Sequence, residues 1–289
     1  PKPVTTAPID ELTRSSKNGF TPLPGTAIEG KQVAQYLQVP VYTEAQAVKS
    51  LLSSCKSPRL VHIATHGYFL KVEQPKLEDF ARLSSNLHRA AIENPLTRSG
   101  LAFAGANAGI LGKNLHPEAE DGLMTAQGVS GLDFTGTQLV VLSACETGLG
   151  NVQTGESVGG LRRSLILAGA EAVVMSLWSV PDVPTAILME RFYHYLLSEK
   201  KGRTIALETA QADLRYLTVG QMRDRWLTDG AIAQVQQYSE DSTRHLDDLR
   251  PKPDDYQPYS HPYYWSAFVC AGDASPMAAQ EMVGDLCTP

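Results

Sequence analysis

Residues 138–144 (QLVVLSA) form the most apolar run of the chain and lead directly into Cys145 and a glycine-containing loop. Residues 59–64 (RLVHIA) and 172–178 (AVVMSLW) are two further runs of the same kind. Short continuous apolar runs are typical of strands that are buried on both faces of a parallel sheet. Because segments with helical periodicity lie around these runs, the sequence predicts an α/β protein, an αβα three-layer sandwich with a mostly parallel central sheet.

Apolar periodicity predicts the remaining elements. Ile28, Val33 and Leu37 share one helical face, and residues 263–270 have the pattern of a last strand. Further helices are predicted at residues 45–52, 80–92, 158–168, 185–197 and 204–217, and short strands at 39–42, near Leu101 and near Leu123. The polar stretch 219–262 is predicted to be a surface excursion that holds one amphipathic helix.

These patterns indicate one domain with flanking segments. Residues 1–27 are rich in proline and are interpreted as a linker or an N-terminal remnant of the domain. The domain is predicted at 28–275, with insertions at about 70–133 and 219–258, and residues 276–289 form a C-terminal tail. The chain opens on a Pro/Thr-rich stretch without a methionine, so we expect it to be a piece of a longer polypeptide.

Composition and charge argue against several classes of protein. The chain has 289 residues and a net charge of −6 without runs of basic side chains, which argues against binding to nucleic acid. No stretch has the about 18 consecutive apolar residues of a membrane span, and the polar amino end lacks a signal core. Four scattered cysteines suit neither a disulfide framework nor a zinc knuckle, so reduced thiols in the cytoplasm are expected. No acidic loop has metal-ligand spacing, and we expect no cofactor.

Two predicted strand ends carry a reactive side chain. His66 follows RLVHIA in a polar Thr-His-Gly turn, and Cys145 follows QLVVLSA. Parallel strands end at the same edge of a sheet, so these two residues are expected to be neighbours. A thiol beside an imidazole is the minimum machinery for nucleophilic acyl transfer, because histidine can sustain the thiolate and protonate a leaving amine. The backbone N–H groups of Gly67 and Cys145 are candidate donors to an oxyanion.

A structural alternative stays open for both residues. Cysteine is among the most buried residue types, and a histidine at a strand end is usually a packing residue. Packing or chance also explains Cys55, Cys270 and Cys287 better than a nucleophilic role. His62 lies inside its strand, so its side chain is expected to pack under the helices that cover one face of the sheet.

Six blocks carry a resemblance to a known family. They are residues 23–30 (LPGTAIEG), 62–69 (HIATHGYF), 94–107 (NPLTRSGLAFAGAN), 121–150 (from DGLMTAQG to SACETGLG), 155–182 (from GESVGG to LWSVPD) and 261–273 (HPYYWSAFVCAGD). In this order they resemble the CHAT domain, a caspase-like cysteine peptidase domain that often follows TPR repeats in bacteria, cyanobacteria especially. Two departures are Ser157, where the family usually has glycine, and a longer stretch before HPYYW. Neither departure touches His66 or Cys145.

The resemblance implies a cysteine endopeptidase that hydrolyses peptide bonds through a thioester acyl-enzyme. His66 is then the general acid/base, Cys145 the nucleophile, and the N–H groups of Gly67 and Cys145 form the oxyanion hole. A protein or peptide substrate and regulation by upstream TPR repeats or a partner protein are implied as well. Two other functions stay open: a catalytically silent interaction module of the same fold, and an acyltransferase or transpeptidase that uses the same two residues.

Substrate binding is expected beyond the third apolar run. In caspase-like folds the equivalent strand pairs with extended substrate backbone, and by resemblance residues 176–180 do so here. This assigns Ser176, Ser179 and Val180 to the substrate side, together with Trp178, which either walls a side-chain pocket or packs in the core.

Three more residues are candidates near the site. Ser143 stands where metacaspases carry an acid that selects basic side chains before the scissile bond, so that argument for Arg/Lys specificity is absent here. Asp182 is a pocket acid or, as we favour, a helix N-cap. Glu146 is either a pocket residue or an ion-pair partner of Arg162 or Arg163.

Overall fold

The computed structural model describes residues 19–20, 23, 25–69, 95–111, 120–143, 145–146 and 156–278. For residues 69, 95, 145, 146 and 156–159 it describes the backbone alone. The described strands are β1 (Leu60–Ile63), β2 (His66–Phe69), β3 (Ser99–Ala102), β4 (Leu123–Thr125), β5 (Leu139–Leu142), β6 (Cys145–Glu146), β7 (Ala172–Ser176) and β8 (Phe268–Gly272). The described α-helices are α1 (Thr26–Leu37), α2 (Lys49–Ser54), α3 (Pro95–Arg98), α4 (Ala106–Ile110), α5 (Ala126–Val129), α6 (Glu156–Leu167), α7 (Asp182–Tyr193), α8 (Arg203–Tyr216), α9 (Val219–Met222), α10 (Asp229–Gln236), α11 (Glu240–Leu249) and α12 (Pro262–Trp265).

The three apolar runs of the sequence become the parallel part of the main sheet. Its strand order is β1-β5-β7-β8, in which the first three strands are parallel and β8 is antiparallel to β7. Alternate residues of β5 supply the two sides: Leu139 and Val141 belong to one core cluster, whereas Val140 and Leu142 belong to the other. The first cluster includes residues of α1, α7 and α8, and the second includes residues of α6, so helices cover both faces. The predicted αβα sandwich is confirmed.

A second sheet places the strands that carry His66 and Cys145. Its order is β4-β3-β2-β6; β2 pairs with β3 antiparallel and with β6 parallel. The strands predicted near Leu101 and Leu123 are confirmed as β3 and β4. His66 is the first residue of β2, so the predicted Thr-His-Gly turn is wrong. Ala64 and Thr65 alone separate β1 from β2.

Other predicted elements are confirmed with shifted ends. The helices at 185–197 and 204–217 are α7, extended by a π-helix at His194–Ser198, and α8. The predicted strand at 39–42 is wrong, because this segment is irregular and is followed by a 3₁₀ turn at Glu44–Gln46. The helix predicted at 80–92 lies outside the described residues.

The stretch after α8 holds three helices, α9, α10 and α11, instead of the predicted single one. Thr218, Thr228 and Ser239 each cap one of them with a side-chain oxygen that accepts a backbone N–H. Their apolar residues enter the main core rather than lying on the surface; Val219, Met222 and Leu246 are fully buried. In the part of the chain that is described, no helix is long and apolar enough to cross a membrane.

Candidate active site

Backbone pairing brings His66 and Cys145 together. β2 and β6 run parallel, with His66 opposite Cys145 and Gly67 opposite Glu146. Paired strands lie about 4.8 Å apart. The preceding strands β1 and β5 are also parallel neighbours, with Ile63 opposite Leu142. The prediction that the two residues lie at the same end of adjacent parallel strands is therefore confirmed.

The predicted oxyanion donors occupy the same ladder. Gly67 is buried, and it lies between Leu101 of β3 and Glu146 of β6. The side chains of Cys145 and Glu146 lie outside what the structure describes, as do residues 147–155. The distance between the Cys145 thiol and the His66 imidazole, and the side-chain contacts of Glu146, therefore lie outside the described residues. Arg162 and Arg163, the predicted ion-pair partners of Glu146, are exposed.

The His66 side chain is buried beside an aromatic ring from the amino-terminal segment. The ring centroids of Phe20 and His66 lie 5.4 Å apart. The backbone of Phe20 is held by one side chain, since its N–H donates to Asn107 Oδ1 (2.7 Å) and its carbonyl accepts from Asn107 Nδ2 (2.8 Å). Phe20 also packs against Tyr68 on β2. A residue upstream of the first helix thus forms part of the surroundings of His66.

Ser143, two residues before Cys145, makes a contact that the sequence did not predict. Its N–H donates to the carbonyl of Ile63 (2.8 Å), and its hydroxyl donates to Glu29 Oε2 (3.0 Å). Glu29 lies on α1 and is only 3% exposed. The burial of Glu29 could have been predicted from its spacing in the sequence. Glu29, Val33 and Leu37 stand at i, i+4 and i+8, so they share the buried face of the helix.

The other oxygen of Glu29 contacts His62 on β1. His62 Nε2 lies 3.1 Å from Glu29 Oε1, and His62 Nδ1 lies 2.9 Å from the hydroxyl of Tyr193 on α7. Burial, aided by the charge of Glu29, raises the pKa of Tyr193 well above its ordinary value, so its hydroxyl is protonated. The prediction that His62 packs under helices on one sheet face is confirmed.

The segment expected to bind substrate follows β7. β7 ends at Ser176, which is buried, and the N–H of Leu177 then donates to the carbonyl of Ala267 (2.8 Å). Trp178 packs against the main core, and its indole N–H donates to the carbonyl of Tyr263 (3.0 Å). Ser179 is exposed and Val180 is buried. Trp178 therefore packs against the core while part of its side chain is accessible.

Asp182 is not the N-cap of its helix. α7 begins at Asp182 itself, Pro181 occupies the cap position, and no side chain caps this end. The carboxyl group instead lies against Gly25, just before α1, and accepts from the hydroxyl of Ser242 (3.1 Å). Burial raises the pKa of Asp182, and the negative charges of Glu29 and Asp241 add to this effect.

The other cysteines differ in state. Cys55 takes part in a disulfide bond, so the expectation of reduced thiols is wrong for this residue. Cys270 is a free thiol on β8, and burial raises its pKa, which disfavours the reactive thiolate. Within the described residues, no group of three or more histidine, cysteine or acidic side chains could hold a metal ion.

Comparison with known proteins agrees with this architecture. The family model of the CHAT domain matches residues 3–273 of the 289 residues. A search of curated proteins finds no match to the chain. Since the family model covers nearly the whole sequence, and the fold is a sandwich with a mostly parallel sheet, the chain belongs to the CHAT domain family, a family of caspase-like peptidases.

Proposed function

We propose that this protein is a cysteine endopeptidase in which Cys145 is the nucleophile and His66 the general acid/base. The observation that carries the proposal is the register of β2 and β6, in which these two residues stand directly opposite each other on parallel strands. Membership of a caspase-like peptidase family supports the same reaction class.

The proposed reaction proceeds in two steps. The Cys145 thiolate attacks the carbonyl carbon of the scissile peptide bond, and the C–N bond breaks as protonated His66 gives its proton to the leaving amine. A water molecule then attacks the thioester; His66 takes its proton, the C–S bond breaks and the acid product leaves. The N–H groups of Gly67 and Cys145 stabilise the negative oxygen in both steps.

The proposed substrate is a protein or peptide bound in extended form. Residues 176–180 support this placement, because they begin at the last residue of β7. β7 is parallel to β5, so both strands end at the same edge of the sheet, where the chain after β5 leads to Cys145. Ser179 and the accessible part of Trp178 are the proposed contacts with substrate, and we propose that Ser176, Val180 and Asp182 support the same subsite from beneath. Ser143 and Glu146 are proposed to flank the nucleophile.

Two substitutions test the proposal. Cys145→Ala should abolish cleavage of a peptide library, because no other group forms the thioester. His66→Ala should lower kcat/KM by about 100-fold or more, the usual cost of losing a positioned acid/base. Cys270→Ala is the matched control and should retain activity. Cleavage that survives in Cys145→Ala would contradict the proposal.

The same assay separates the remaining functions. A silent interaction module would leave every variant and the wild-type protein without turnover, even when Cys145 is intact. A transpeptidase would consume the peptide and join its acyl part to an added amine in preference to water. The endopeptidase proposal requires the free acid as the main product.

We also propose that activity depends on segments outside the domain, as the resemblance to TPR-linked CHAT domains implies. The contact of Phe20 with His66 supports this, because movement of the segment before α1 would alter the surroundings of the histidine. The chain by itself is expected to cleave slowly. The test compares turnover by the chain alone with turnover after TPR repeats or candidate partner proteins are fused or added to it. Turnover by the chain alone that equals the highest turnover with any of these additions would contradict regulation of this kind.

A further inference from the structure

Glu29 connects the two strands that lead to the proposed catalytic residues. Its side chain is 4% exposed, and each of its carboxylate oxygens contacts a different strand. Oε1 contacts His62 of β1 (3.1 Å), and Oε2 accepts from Ser143, directly after β5 (3.0 Å). One carboxylate on α1 therefore bridges two neighbouring parallel strands at their carboxyl ends.

The bridge lies close along the chain to both proposed catalytic residues. His62 precedes His66 by four residues, and Ser143 precedes Cys145 by two. The backbone adds one link, because the N–H of Ser143 donates to the carbonyl of Ile63. A change in the position of either strand end is therefore passed to β2 or β6 over only a few bonds.

His62 is held from two helices. Tyr193 on α7 contacts its Nδ1, and Glu29 on α1 contacts its Nε2, so the ring has a hydrogen-bond partner at each nitrogen. A second carboxyl group belongs to the surroundings of this cluster: burial raises the pKa of Asp182, and the negative charge of Glu29 adds to this rise.

A buried carboxylate in this place is poorly explained by stability. Moving a charge out of water costs several kcal/mol per ion, and buried ion pairs are often no better for stability than apolar residues of similar volume. A fully satisfied polar cluster does, however, fix the relative positions of the groups that it joins. Positional precision matters most where two reacting groups must meet.

We propose that Glu29 is a positioning residue, whose carboxylate bridges His62 and Ser143 and thereby fixes the distance between His66 and Cys145. This inference rests on the proposed peptidase function. Glu29 acts through the two strands and not on the substrate. Its loss should therefore slow the chemical steps and leave substrate affinity unchanged.

The test uses Glu29→Gln in the full chain, with Glu190→Gln as the matched control. Glu190 is also a largely buried glutamate, at 17% exposure, but it pairs with Arg225. For Glu29→Gln, kcat per active site should fall at least about tenfold with KM within about twofold, since misplacement by about 1 Å can cost about 100-fold. Titration with a peptidyl electrophile counts the active sites. Glu190→Gln should retain kcat.

Hydrogen exchange supplies a readout that needs no activity. Amides of residues 62–67 and 141–146 should exchange at least about tenfold faster in Glu29→Gln than in Glu190→Gln. If the wild-type chain cleaves no peptide, the proposed function fails while this measurement still decides whether Glu29 fixes the strand ends. Unchanged exchange would overturn the inference, as would an unchanged kcat in an active protein.

Two further outcomes are decisive. A rise in KM confined to substrates with a basic side chain before the scissile bond would make Glu29 a specificity residue and overturn a positioning role. Should Glu29→Gln fail to fold, Ser143→Ala leaves the contact with His62 in place and removes one end of the bridge. Ser143→Ala should then lower kcat at least about tenfold with KM within about twofold, and an unchanged kcat would overturn the inference.

Discussion

Asp182 carries a carboxyl group whose charged form is disfavoured by its surroundings. Burial raises its pKa, the hydrogen bond from Ser242 lowers it, and the charges of Glu29 and Asp241 raise it again. The pKa of Asp182 is higher in the folded protein than in the unfolded chain, where it is about 3.9. Protonated Asp182 therefore contributes its full stabilisation below the unfolded-state pKa, and this stabilisation is lost as the pH rises through the folded-state pKa. Ionised Asp182 therefore reduces stability at neutral pH.

Asp182→Asn removes this charge and keeps an oxygen that can accept from Ser242. The variant should gain stability relative to wild type between about pH 3 and pH 7, because only the wild-type residue ionises in that interval. Urea unfolding at both pH values measures the change in unfolding free energy. A difference between the two proteins that is the same at both pH values would contradict the raised pKa.

Single residues were predicted unevenly from the sequence. His66 and Cys145 could be paired because strand ends of a parallel sheet meet at one edge, and β2 and β6 bear this out at the level of the backbone. Glu29 was missed, because a glutamate on a helix is ordinarily solvent-exposed and its partners lie on strands far away in the sequence. The position of Asp182 was misassigned because the helix begins one residue earlier than an N-cap would require.

Arg203 is a buried polar link between secondary-structure elements. Its side chain is 1% exposed at the start of α8. The guanidinium donates to Glu171 Oε2 (2.9 Å), just before β7, and to the carbonyl of Ser275 (3.0 Å), just after β8. It also lies 3.1 Å from Asp273 Oδ2. One buried side chain therefore holds a helix against the ends of two antiparallel strands.

Arg203→Met should lower the unfolding free energy by about 1.5–3 kcal/mol, the typical contribution of hydrogen bonds made by a charged group. Arg223→Met is the control, since Arg223 pairs with Asp254 while both are largely exposed, and such pairs contribute at most about 1 kcal/mol. Urea unfolding of both variants gives the comparison. Equal losses of unfolding free energy in the two variants would show that the buried contacts of Arg203 stabilise the protein no more than an exposed ion pair does.

The three helices after α8 depend on their caps, because each is short. Ser239 is buried and accepts the N–H of Ser242 (3.1 Å) at the start of α11. Ser239→Ala should cost about 1 kcal/mol of unfolding free energy, whereas Ser239→Asn, which retains a capping oxygen, should cost less. Thermal unfolding measures both. A smaller loss for alanine than for asparagine would contradict the capping role.

These short helices also show why some elements could not be predicted. α9 has 4 residues, α10 has 8 and α11 has 10, so none fills the window of about 11–18 residues in which periodicity is recognised. At α12 the aromatic residues Tyr263, Tyr264 and Trp265 favour a strand, but Pro262 at the first turn begins a helix. β8 consequently begins at Phe268, five residues after the predicted start.

At the scale of the molecule, the main sheet could be predicted, whereas for the second sheet the positions of β3 and β4 could be predicted but its existence and pairing could not. β1, β5 and β7 are continuous apolar runs whose burial on both faces is visible in the sequence. β2, β3, β4 and β6 have two to four residues each, and they are defined by pairing between segments distant in the chain. The second sheet nevertheless sets the register of His66 and Cys145.

His66 and Cys145 are proposed to act as one catalytic pair. The most direct test of this pairing is the reaction of the chain with a peptidyl electrophile, with mass spectrometry locating the adduct and measuring its rate of formation. We expect a single adduct on Cys145 in the wild-type protein. In His66→Ala the adduct should form at least about 100-fold more slowly, because the histidine sustains the thiolate. An adduct on Cys270 instead, or an unchanged rate at Cys145 without His66, would contradict the account.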